Sequence, residues 1–493
     1  MTKEARALVA VSVALLAVRL FAATRVGFGD SEALYACYAI HQQPAYLDHP
    51  GLIGVLARTI AQHSAPSPSY AHVVTAILAT AVPWLVVLAG RAAGGARAGL
   101  AGLAVALVPE IAIGLFAMTP DLLLALAWTA SLACACAGLR ADPRSARAAV
   151  ALVGAGLFAG IATAAKVSGV ALVLSLAATY VFAARRHART AWPWIGLGAG
   201  AIVVLPIVVY EARSGWPMLV HRLVATQSQA GVSLRNAGAL LGGQLLYLSP
   251  LVAFVAVLVA LDLVRARRTD ATSTLLFLAF AIPLVVLLPL CLWSRVAEPH
   301  WIAPALLALP IHFSRASIAT SRRLGIAALA TSAAMVAAAH VWVLAPALVR
   351  AMPASFDATR DITSELYGWP DALAEVRRVV IESRAPGSER RDLVVVGPHW
   401  VVCAQLEAAL SHYKGAPPVG CATPIRDDFD DWYARDKWQR AETLVFVTDT
   451  RFAFDAAAFP KHVEARREEV RVERGGRTAR VFTIVVLARR TVG

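Results

Sequence analysis

Apolar stretches of roughly 20 residues recur along most of the chain, and they constrain its fold more than any other feature. An α-helix needs about 20 mostly apolar residues to cross a bilayer. Stretches of this kind lie roughly at 7–23, 70–89, 98–116, 120–139, 148–164, 167–184, 194–211, 241–262, 274–292, 301–314 and 324–346. The sequence therefore predicts an α-helical polytopic membrane protein with about eleven spans.

Basic residues are distributed unevenly along these predicted spans. Residues 1–349 carry 24 Lys or Arg and 11 Asp or Glu, so most of the chain's net charge of +14 lies there. With the N-terminus in the cytoplasm, 16 of the 24 basic residues fall in cytoplasmic segments, together with only four acids. This is the positive-inside pattern of membrane proteins. The charge is therefore interpreted as a topological signal and excludes nucleic acid as a partner.

The chain divides into two predicted domains. Residues 1–349 form the multi-span membrane domain, with a long outer loop at 24–69, and residues 350–493 form a small soluble extracytoplasmic α/β domain. In the second domain, short β-branched runs alternate with helical patterns. The predicted helices are 369–382 and 401–413, and the predicted strands are 393–396, 443–447 and 481–487.

Two cysteines, Cys403 and Cys421, lie in the predicted exported domain. An oxidising compartment permits them to form a disulfide, and the sequence leaves their pairing open. No cysteine or histidine spacing is typical of a zinc site.

Acids outside the cytoplasmic segments gather at the ends of spans. Asp30 and Glu32 open the first long loop, and Asp121 opens the fourth span. If these helix starts converge, their carboxylates can deprotonate a hydroxyl, hold a divalent cation, or both. The alternative is structural, because Asp30 and the Thr119-Pro120-Asp121 string also suit helix starts. Asp30 and Glu32 are two residues apart, so they do not share a helix face.

Three basic or ring-bearing residues lie on the same predicted side of the membrane. Arg19, near the outer end of the first span, requires either an acid or an anionic ligand. Lys166 lies between the fifth and sixth spans. It is either a functional residue or a lysine at the end of a helix that extends its ammonium group to the membrane interface. His300 begins the tenth span, where a His-Trp pair also serves as an interfacial anchor.

The order of the short motifs along the chain resembles a known family, the bacterial glycosyltransferases related to protein O-mannosyltransferases and the lipid A aminoarabinose transferases. The resemblance extends from the first span to about residue 315. The motifs are Asp30-Ser31-Glu32-Ala33-Leu34-Tyr35, Tyr46-Leu47-Asp48-His49-Pro50-Gly51, Thr119-Pro120-Asp121, Gly160 to Lys166, Gly215-Trp216, Leu248-Ser249-Pro250 and Pro299-His300-Trp301.

The resemblance implies a GT-C fold and transfer of a sugar, a hexosyl or pentosyl unit. A single displacement in such a reaction would invert the anomeric centre. The implied donor is a sugar on polyprenyl phosphate, and the implied acceptor is a lipid, glycan or protein. The implied location is the periplasmic face of the bacterial inner membrane, with a cytoplasmic N-terminus and a periplasmic C-terminal domain. Membrane lipid surrounds such a protein.

The resemblance also implies roles for particular residues. Asp30 is favoured as the general base, with Glu32 second, and Asp121 orients the acceptor or a cation. From their positions alone, and not from the resemblance, Arg19, Lys166 and His300 are expected to face the donor phosphate. If a metal is used, Asp30 and Asp121 are its expected ligands. The expected acceptor or loop contacts are Tyr35, Asp48, His49 and Glu211.

This chain departs from the family pattern at three positions, since Glu211 replaces an Asn, Val167 an aromatic residue and Gly51 a Pro. Two alternatives stay open at this stage. One is an O-antigen ligase or polymerase, which shares the lipid-linked donor. The other is a transporter of lipid-linked or small polar substrates, which would place charges near the bilayer midplane and often contains an internal repeat.

Overall fold

The computed structural model of the chain describes residues 2–227, 230–294, 296–316, 321–384 and 393–490. Among these residues, seven helices are long and apolar enough to cross a membrane, and two bent helix pairs raise that number to nine. The seven are Lys3–Ala23, Pro68–Ala92, Pro120–Leu139, Ala146–Ala165, Trp192–Ser214, Ala271–Trp293 and Arg322–Leu344. The predicted polytopic helical fold with a small C-terminal α/β part is confirmed.

The predicted count of eleven spans is not confirmed, because two predicted spans are shorter or broken. The stretch 167–184 contains a 3₁₀ turn, Val167–Gly169, followed by the helix Val170–Phe182 of 13 residues. The stretch 301–314 is divided into Pro299–Ile302, Ala303–Leu306 and Ala308–Arg315. Proline lacks an N–H and restricts the residue before it, which favours breaks of this kind.

The two bent pairs also turn next to prolines. Ala98–Leu107 and Pro109–Phe116 meet at 70°, and Leu234–Leu248 and Pro250–Ala266 meet at 100°. Between the second pair, Ser249 has φ 67° and ψ 149°, a backbone conformation that a residue with a side chain rarely adopts. Proline then occupies the first position of each following helix.

Small residues bring two of the long helices into close contact. A Cβ added at Gly160 would lie 2.3 Å from the Cα of Gly200, and one added at Gly156 would lie 2.1 Å from the carbonyl carbon of Gly196. Glycines four residues apart on both helices therefore let the backbones of Ala146–Ala165 and Trp192–Ser214 touch. The contact at Gly160 lies in the last two turns of Ala146–Ala165, just before Lys166.

The chain forms two compact units. The first, the membrane unit, contains Met1–Leu20, Pro44–Ile53 and Val73–His340. The second, the C-terminal unit, contains Phe21–Gln43, Gly54–His72 and Val341–Gly493. Parts of the predicted outer loop thus group with the C-terminal region. The outer loop contains the short helices Asp30–Cys37 and Leu52–Ile60, and the membrane unit contains the short helices Arg185–Ala188 and Pro217–Leu223.

A five-stranded sheet forms the core of the C-terminal unit. Its strands are β1 (Leu393–Gly397), β2 (Val419–Cys421), β3 (Thr443–Asp449), β4 (His462–Arg474) and β5 (Arg477–Arg489), in the order β2-β1-β3-β5-β4. β1 pairs in parallel with β2 and β3, whereas β5 pairs antiparallel with β3 and β4. The remaining helices are Trp369–Glu382, Trp400–Leu410, Asp428–Trp432 and Arg435–Trp438. Apolar side chains of β1, β3 and β5, including Val396, Phe446 and Val485, pack together at its centre.

Cys403 and Cys421 form a disulfide, which joins the helix Trp400–Leu410 to β2. Their Cα atoms are 5.9 Å apart, within the usual range for a disulfide. The cross-link closes a short loop, since the two residues are 18 positions apart in sequence.

Replacing both cysteines, Cys403→Ser with Cys421→Ser, should lower the free energy of unfolding of the C-terminal unit by about 3 kcal/mol. A cross-link over a loop of this length restricts the unfolded chain by about that amount. Urea unfolding followed by tryptophan fluorescence measures the difference. The free Cys134 provides the control. In Cys134→Ser, a reductant should lower the free energy of unfolding as much as it does in the wild type. Equal stability with and without reductant in the wild type would contradict the assignment.

Candidate active site

An ion pair joins two helix ends in the membrane unit. Asp121 lies in the first turn of Pro120–Leu139, and Lys166 follows Ala146–Ala165 in an extended conformation. The Lys166 Nζ donates to both carboxylate oxygens of Asp121, at 2.8 and 3.0 Å. Both side chains are largely buried, at 13% exposure for Lys166 and 25% for Asp121. Lys166 is therefore held by an acid rather than extended alone to the interface.

His300 lies next to this pair, on the 3₁₀ turn Pro299–Ile302. Its Nε2 is 3.6 Å from Asp121 Oδ2, and its Nδ1 is 3.2 Å from Glu298 Oε2. The hydrogen bond with His300 lowers the pKa of Glu298 below its ordinary value. His300 thus lies between two carboxylates, one largely buried and one mostly exposed.

Asp48 and His49 belong to the same region of the membrane unit. Asp48 Oδ1 lies 3.1 Å from Arg222 Nε and 3.6 Å from His221 Nε2. His49 is buried, and burial lowers its pKa well below the ordinary value, with Arg222 and Lys166 acting in the same direction. Two cations, Lys166 and Arg222, are therefore close enough to His49 to act on it electrostatically.

Glu211 has a structural contact in the turn after Trp192–Ser214. Its Oε2 accepts the backbone N–H of Met218 at 3.1 Å, and its side chain is only 2% exposed. The turn itself uses left-handed conformations at Gly215 (φ 80°) and Trp216 (φ 60°). Glu211 thus satisfies a free N–H at the start of Pro217–Leu223.

Arg19 is buried at 2% exposure, and its described hydrogen bonds go to neutral oxygens. Its guanidinium donates to the carbonyls of Ile111 and Ala112 at 2.7 to 3.0 Å, and to the Thr80 hydroxyl at 3.3 Å. These carbonyls end a short helix, where unpaired acceptors favour a cation. Neither of the expected partners, an acid or an anionic ligand, is needed to explain its position.

Glu32 is held within the C-terminal unit by two hydrogen bonds. One carboxylate oxygen accepts the Gly29 N–H at 2.9 Å, and the other lies 2.9 Å from His72 Nε2. Glu32 thereby completes a capping contact at the start of Asp30–Cys37 and is only 5% exposed. The sequence did not indicate His72 as its partner.

Asp30 contacts a different partner, Arg451, which lies just after β3. Arg451 Nη1 donates to Asp30 Oδ2, while Asp30 Oδ1 is buried and has no hydrogen-bond partner in the part of the chain that the structure describes. Glu365 lies nearby, and burial together with the charge of Asp30 raises its pKa to about 7. The other predicted contact on this helix, Tyr35, is buried against Tyr38 with ring centroids 5.8 Å apart.

The structure thus assembles two groups of predicted residues. The group in the membrane unit consists of Asp48, His49, Asp121, Lys166 and His300. The group in the C-terminal unit consists of Asp30, Glu32 and Tyr35. Arg222, Arg451, Glu365 and His72 were not predicted. A weak signal existed for Arg222, which is one of only eight basic residues of 1–349 outside the predicted cytoplasmic segments.

The expected divalent cation finds no matching ligand set. Among the described ranges of the chain, no group of three or more His, Cys, Asp or Glu side chains is arranged to hold a metal ion. Both oxygens of Asp121 already accept from an ammonium group. The two expected ligands, Asp30 and Asp121, each accept from a cationic side chain here, and no chemical step is assigned to a metal.

A large apolar groove inside the membrane unit has Asp121 in its lining. Its volume is about 610 Å³. Most of its lining is aliphatic and comes from several helices, with Val108, Leu124, Val252, Ala256 and Leu307 as examples. Asp121 and Glu110 also line it, as do Arg97 and Arg322 from predicted cytoplasmic segments. The groove therefore connects the ion pair with the opposite predicted face of the membrane.

Removing the cation of the buried pair should destabilise the protein. Lys166→Met should lower the free energy of unfolding by about 2 kcal/mol, because it removes the ammonium group that donates to both oxygens of the largely buried Asp121 carboxylate. Adding Asp121→Asn should restore much of that loss. Thermal unfolding in detergent measures both variants. The exposed pair Arg440–Asp436 is the control, and Arg440→Met should cost at most about 0.5 kcal/mol. Additive losses in the double variant would argue against the pairing.

Comparison with known proteins supports the same fold. Residues 48–210 match the family model described as dolichyl-phosphate-mannose-protein mannosyltransferase. The structure of ArnT from Cupriavidus metallidurans in the apo state superposes with a TM-score of 0.63 at 16% identity, covering 97% of each chain. ArnT from the same organism bound to undecaprenyl phosphate gives 0.59 at 17% identity, again over 97% of each chain.

A third solved structure is more distant. The archaeal oligosaccharyltransferase AglB from Archaeoglobus fulgidus, in complex with an inhibitory peptide and a dolichol-phosphate, gives a TM-score of 0.51 at 14% identity. The match covers 90% of this chain and 69% of AglB. No curated protein matches the sequence. The resemblance predicted from the motifs is confirmed: this chain is a multi-span membrane protein with the GT-C glycosyltransferase fold, and residues 48–210 carry the sequence pattern of the mannosyltransferase family.

Proposed function

We propose that this protein transfers a hexosyl or pentosyl unit from a polyprenyl-phosphate carrier to a lipid, glycan or protein acceptor. The observation that carries the proposal is the apolar groove of about 610 Å³ whose lining includes Asp121, the partner of Lys166. An apolar groove suits a polyprenyl chain, because burial of hydrocarbon needs no hydrogen-bond partners. The cations near Asp121 suit a phosphate. The related ArnT structure contains undecaprenyl phosphate, which supports this choice of ligand.

Lys166 and His300 are the proposed contacts of the donor phosphate. Both lie at Asp121, and Arg222 acts on the same buried His49 as Lys166 does. When the phosphate enters, Lys166 can share its three N–H donors between the phosphate and Asp121. Asp121 then keeps the ammonium oriented and remains available to the acceptor. Arg19 is left out of this set because carbonyl oxygens and a hydroxyl already accept its hydrogen bonds.

Asp30 is the proposed general base. Glu32 uses both of its oxygens in hydrogen bonds, whereas Asp30 Oδ1 is without one among the described residues. The acceptor hydroxyl oxygen would attack the anomeric carbon as the bond from that carbon to the phosphate oxygen breaks. The hydroxyl proton would pass to Asp30, and the polyprenyl phosphate would leave with the bonding electrons. A single displacement of this kind inverts the anomeric centre.

The reaction is proposed to occur on the periplasmic face of the bacterial inner membrane. Sixteen of the 24 basic residues in 1–349 fall in the segments that this topology places in the cytoplasm. The same topology exports the C-terminal domain, and the disulfide Cys403–Cys421 suits an oxidising compartment. The N-terminus is then cytoplasmic.

Asp30→Asn should lower the transfer rate by about 10²- to 10⁴-fold, the usual contribution of a general base. Glu32→Gln should cost less than about tenfold, because a glutamine at this position retains the capping contact. Sugar transfer in proteoliposomes from labelled polyprenyl-phosphate sugars measures both variants. Full activity of Asp30→Asn with an inactive Glu32→Gln would assign the base to Glu32. A folded wild type that neither transfers nor hydrolyses any carrier-linked sugar would refute the proposed function.

A bulky residue in the groove should weaken binding of long-chain donors. Ala256 lines the groove, whereas the next residue, Val257, is 58% exposed and does not. Ala256→Trp should raise the KM for a donor with a full-length polyprenyl chain about tenfold or more and change the KM for a short-chain donor much less. Val257→Trp is the matched control on the same helix and should change neither value. Equal effects of the two substitutions would mean that the groove does not hold the carrier.

A further inference from the structure

Arg451 joins two carboxylates of the C-terminal unit. Its Nη1 donates to Asp30 Oδ2, and its Nε and Nη2 donate to Asp449 at 2.8 to 3.1 Å. The two acids lie more than 400 positions apart in sequence, at the start of Asp30–Cys37 and at the end of β3. The planar guanidinium group can serve both at once because its donors point in different directions.

Asp449 provides a fixed support for Arg451. Its side chain is 1% exposed, and it also accepts from Arg480 on β5. The Arg480 guanidinium in turn lies 4.9 Å from the ring centre of Trp369 and 4.6 Å from that of Phe482. The backbone N–H of Arg451 also donates to Asp449, at 3.0 Å. The position of the Arg451 guanidinium is thus determined by the buried end of the sheet.

The two carboxylate oxygens of Asp30 differ in their hydrogen bonding. Oδ2 accepts from Arg451, while Oδ1 is buried and lacks a hydrogen-bond partner among the residues described. A carboxylate whose one oxygen is fixed has a defined direction for its other oxygen. Such orientation is a large part of what a catalytic group contributes, since a displacement of about 1 Å can cost about 100-fold in rate.

We infer that Arg451 is a positioning residue for Asp30, so that the C-terminal domain takes part in the reaction through this contact. The inference rests on the proposed role of Asp30 as the base. In this arrangement Arg451 fixes Oδ2, and Oδ1 receives the proton of the acceptor hydroxyl. Arg451 itself acts through Asp30. Three further groups, Glu365, His399 and Arg480, lie close enough to Asp30 to interact with its charge.

The chain offers a closely matched control for Arg451. Arg451 and Asp30 are 36% and 14% exposed, and Arg435 and Asp430 in the same unit are 35% and 14% exposed. Both pairs join an arginine of the C-terminal domain to an aspartate in the first turn of a helix. Arg435→Gln therefore removes a comparable ion pair without touching Asp30.

The experiment compares Arg451→Gln, Arg451→Lys and Arg435→Gln in proteoliposomes, with thermal unfolding as a check of folding. Arg451→Gln should lower kcat about 10- to 100-fold while the KM for the donor changes less than about twofold. Arg451→Lys should lower kcat less than Arg451→Gln does, because lysine keeps the positive charge. It should still be slower than the wild type, because a lysine lacks the forked guanidinium group that joins two carboxylates. Arg435→Gln should retain the wild-type kcat. If Arg451→Gln does not fold, Arg451→Lys carries the comparison.

A double variant tests whether Arg451 acts through Asp30. Asp30→Asn combined with Arg451→Gln should be no slower than Asp30→Asn alone. Multiplied losses in the double variant, wild-type kcat in Arg451→Gln, or an equal loss in Arg435→Gln would each overturn the inference. These outcomes are distinct from failure of the proposed base, in which Asp30→Asn itself would transfer sugar at the wild-type rate.

Discussion

The ion pair between Asp121 and Lys166 is the contact on which the arrangement of the membrane unit depends. A lone charge at the end of a span costs several kcal/mol, so each of the two residues makes the other tolerable there. The pair also fixes the start of Pro120–Leu139 against the break that follows Ala146–Ala165. His300 is placed beside the same carboxylate, and the apolar groove reaches it from within the membrane unit. One contact therefore sets both the local packing and the polar end of the groove.

The sequence predicts the fold well wherever apolar length decides the structure. The spans near 120–139, 148–164 and 324–346 lie in helices of the expected kind because about 20 apolar residues have few alternatives in a bilayer. Length does not reveal a bend, and the stretch 241–262 conceals the 100° turn at Ser249 and Pro250. β4 was missed for a different reason. It is an edge strand rich in exposed Arg and Glu, so it lacks the apolar alternation by which strands are recognised.

The candidate site was predictable in its residue types and only partly in its contacts. Asp121, Lys166 and His300 were expected on one side of the membrane, and the structure brings them together. The environment of Asp30 was not accessible to such reasoning. Its partner Arg451 follows a strand more than 400 residues later, and no local pattern links two residues across that distance. The charge of Arg451 is also inconspicuous in a region that holds 22 basic and 21 acidic residues.

That balance of charge bears on what the C-terminal domain contributes. With a net charge near +1 from residue 350 onward, this region offers little long-range attraction for an anionic carrier. Under the proposal above, its contribution comes from particular contacts, and Arg451 supplies one to an acid of the first outer loop. The proposed base then belongs to the C-terminal unit, whereas the proposed phosphate ligands Lys166 and His300 belong to the membrane unit.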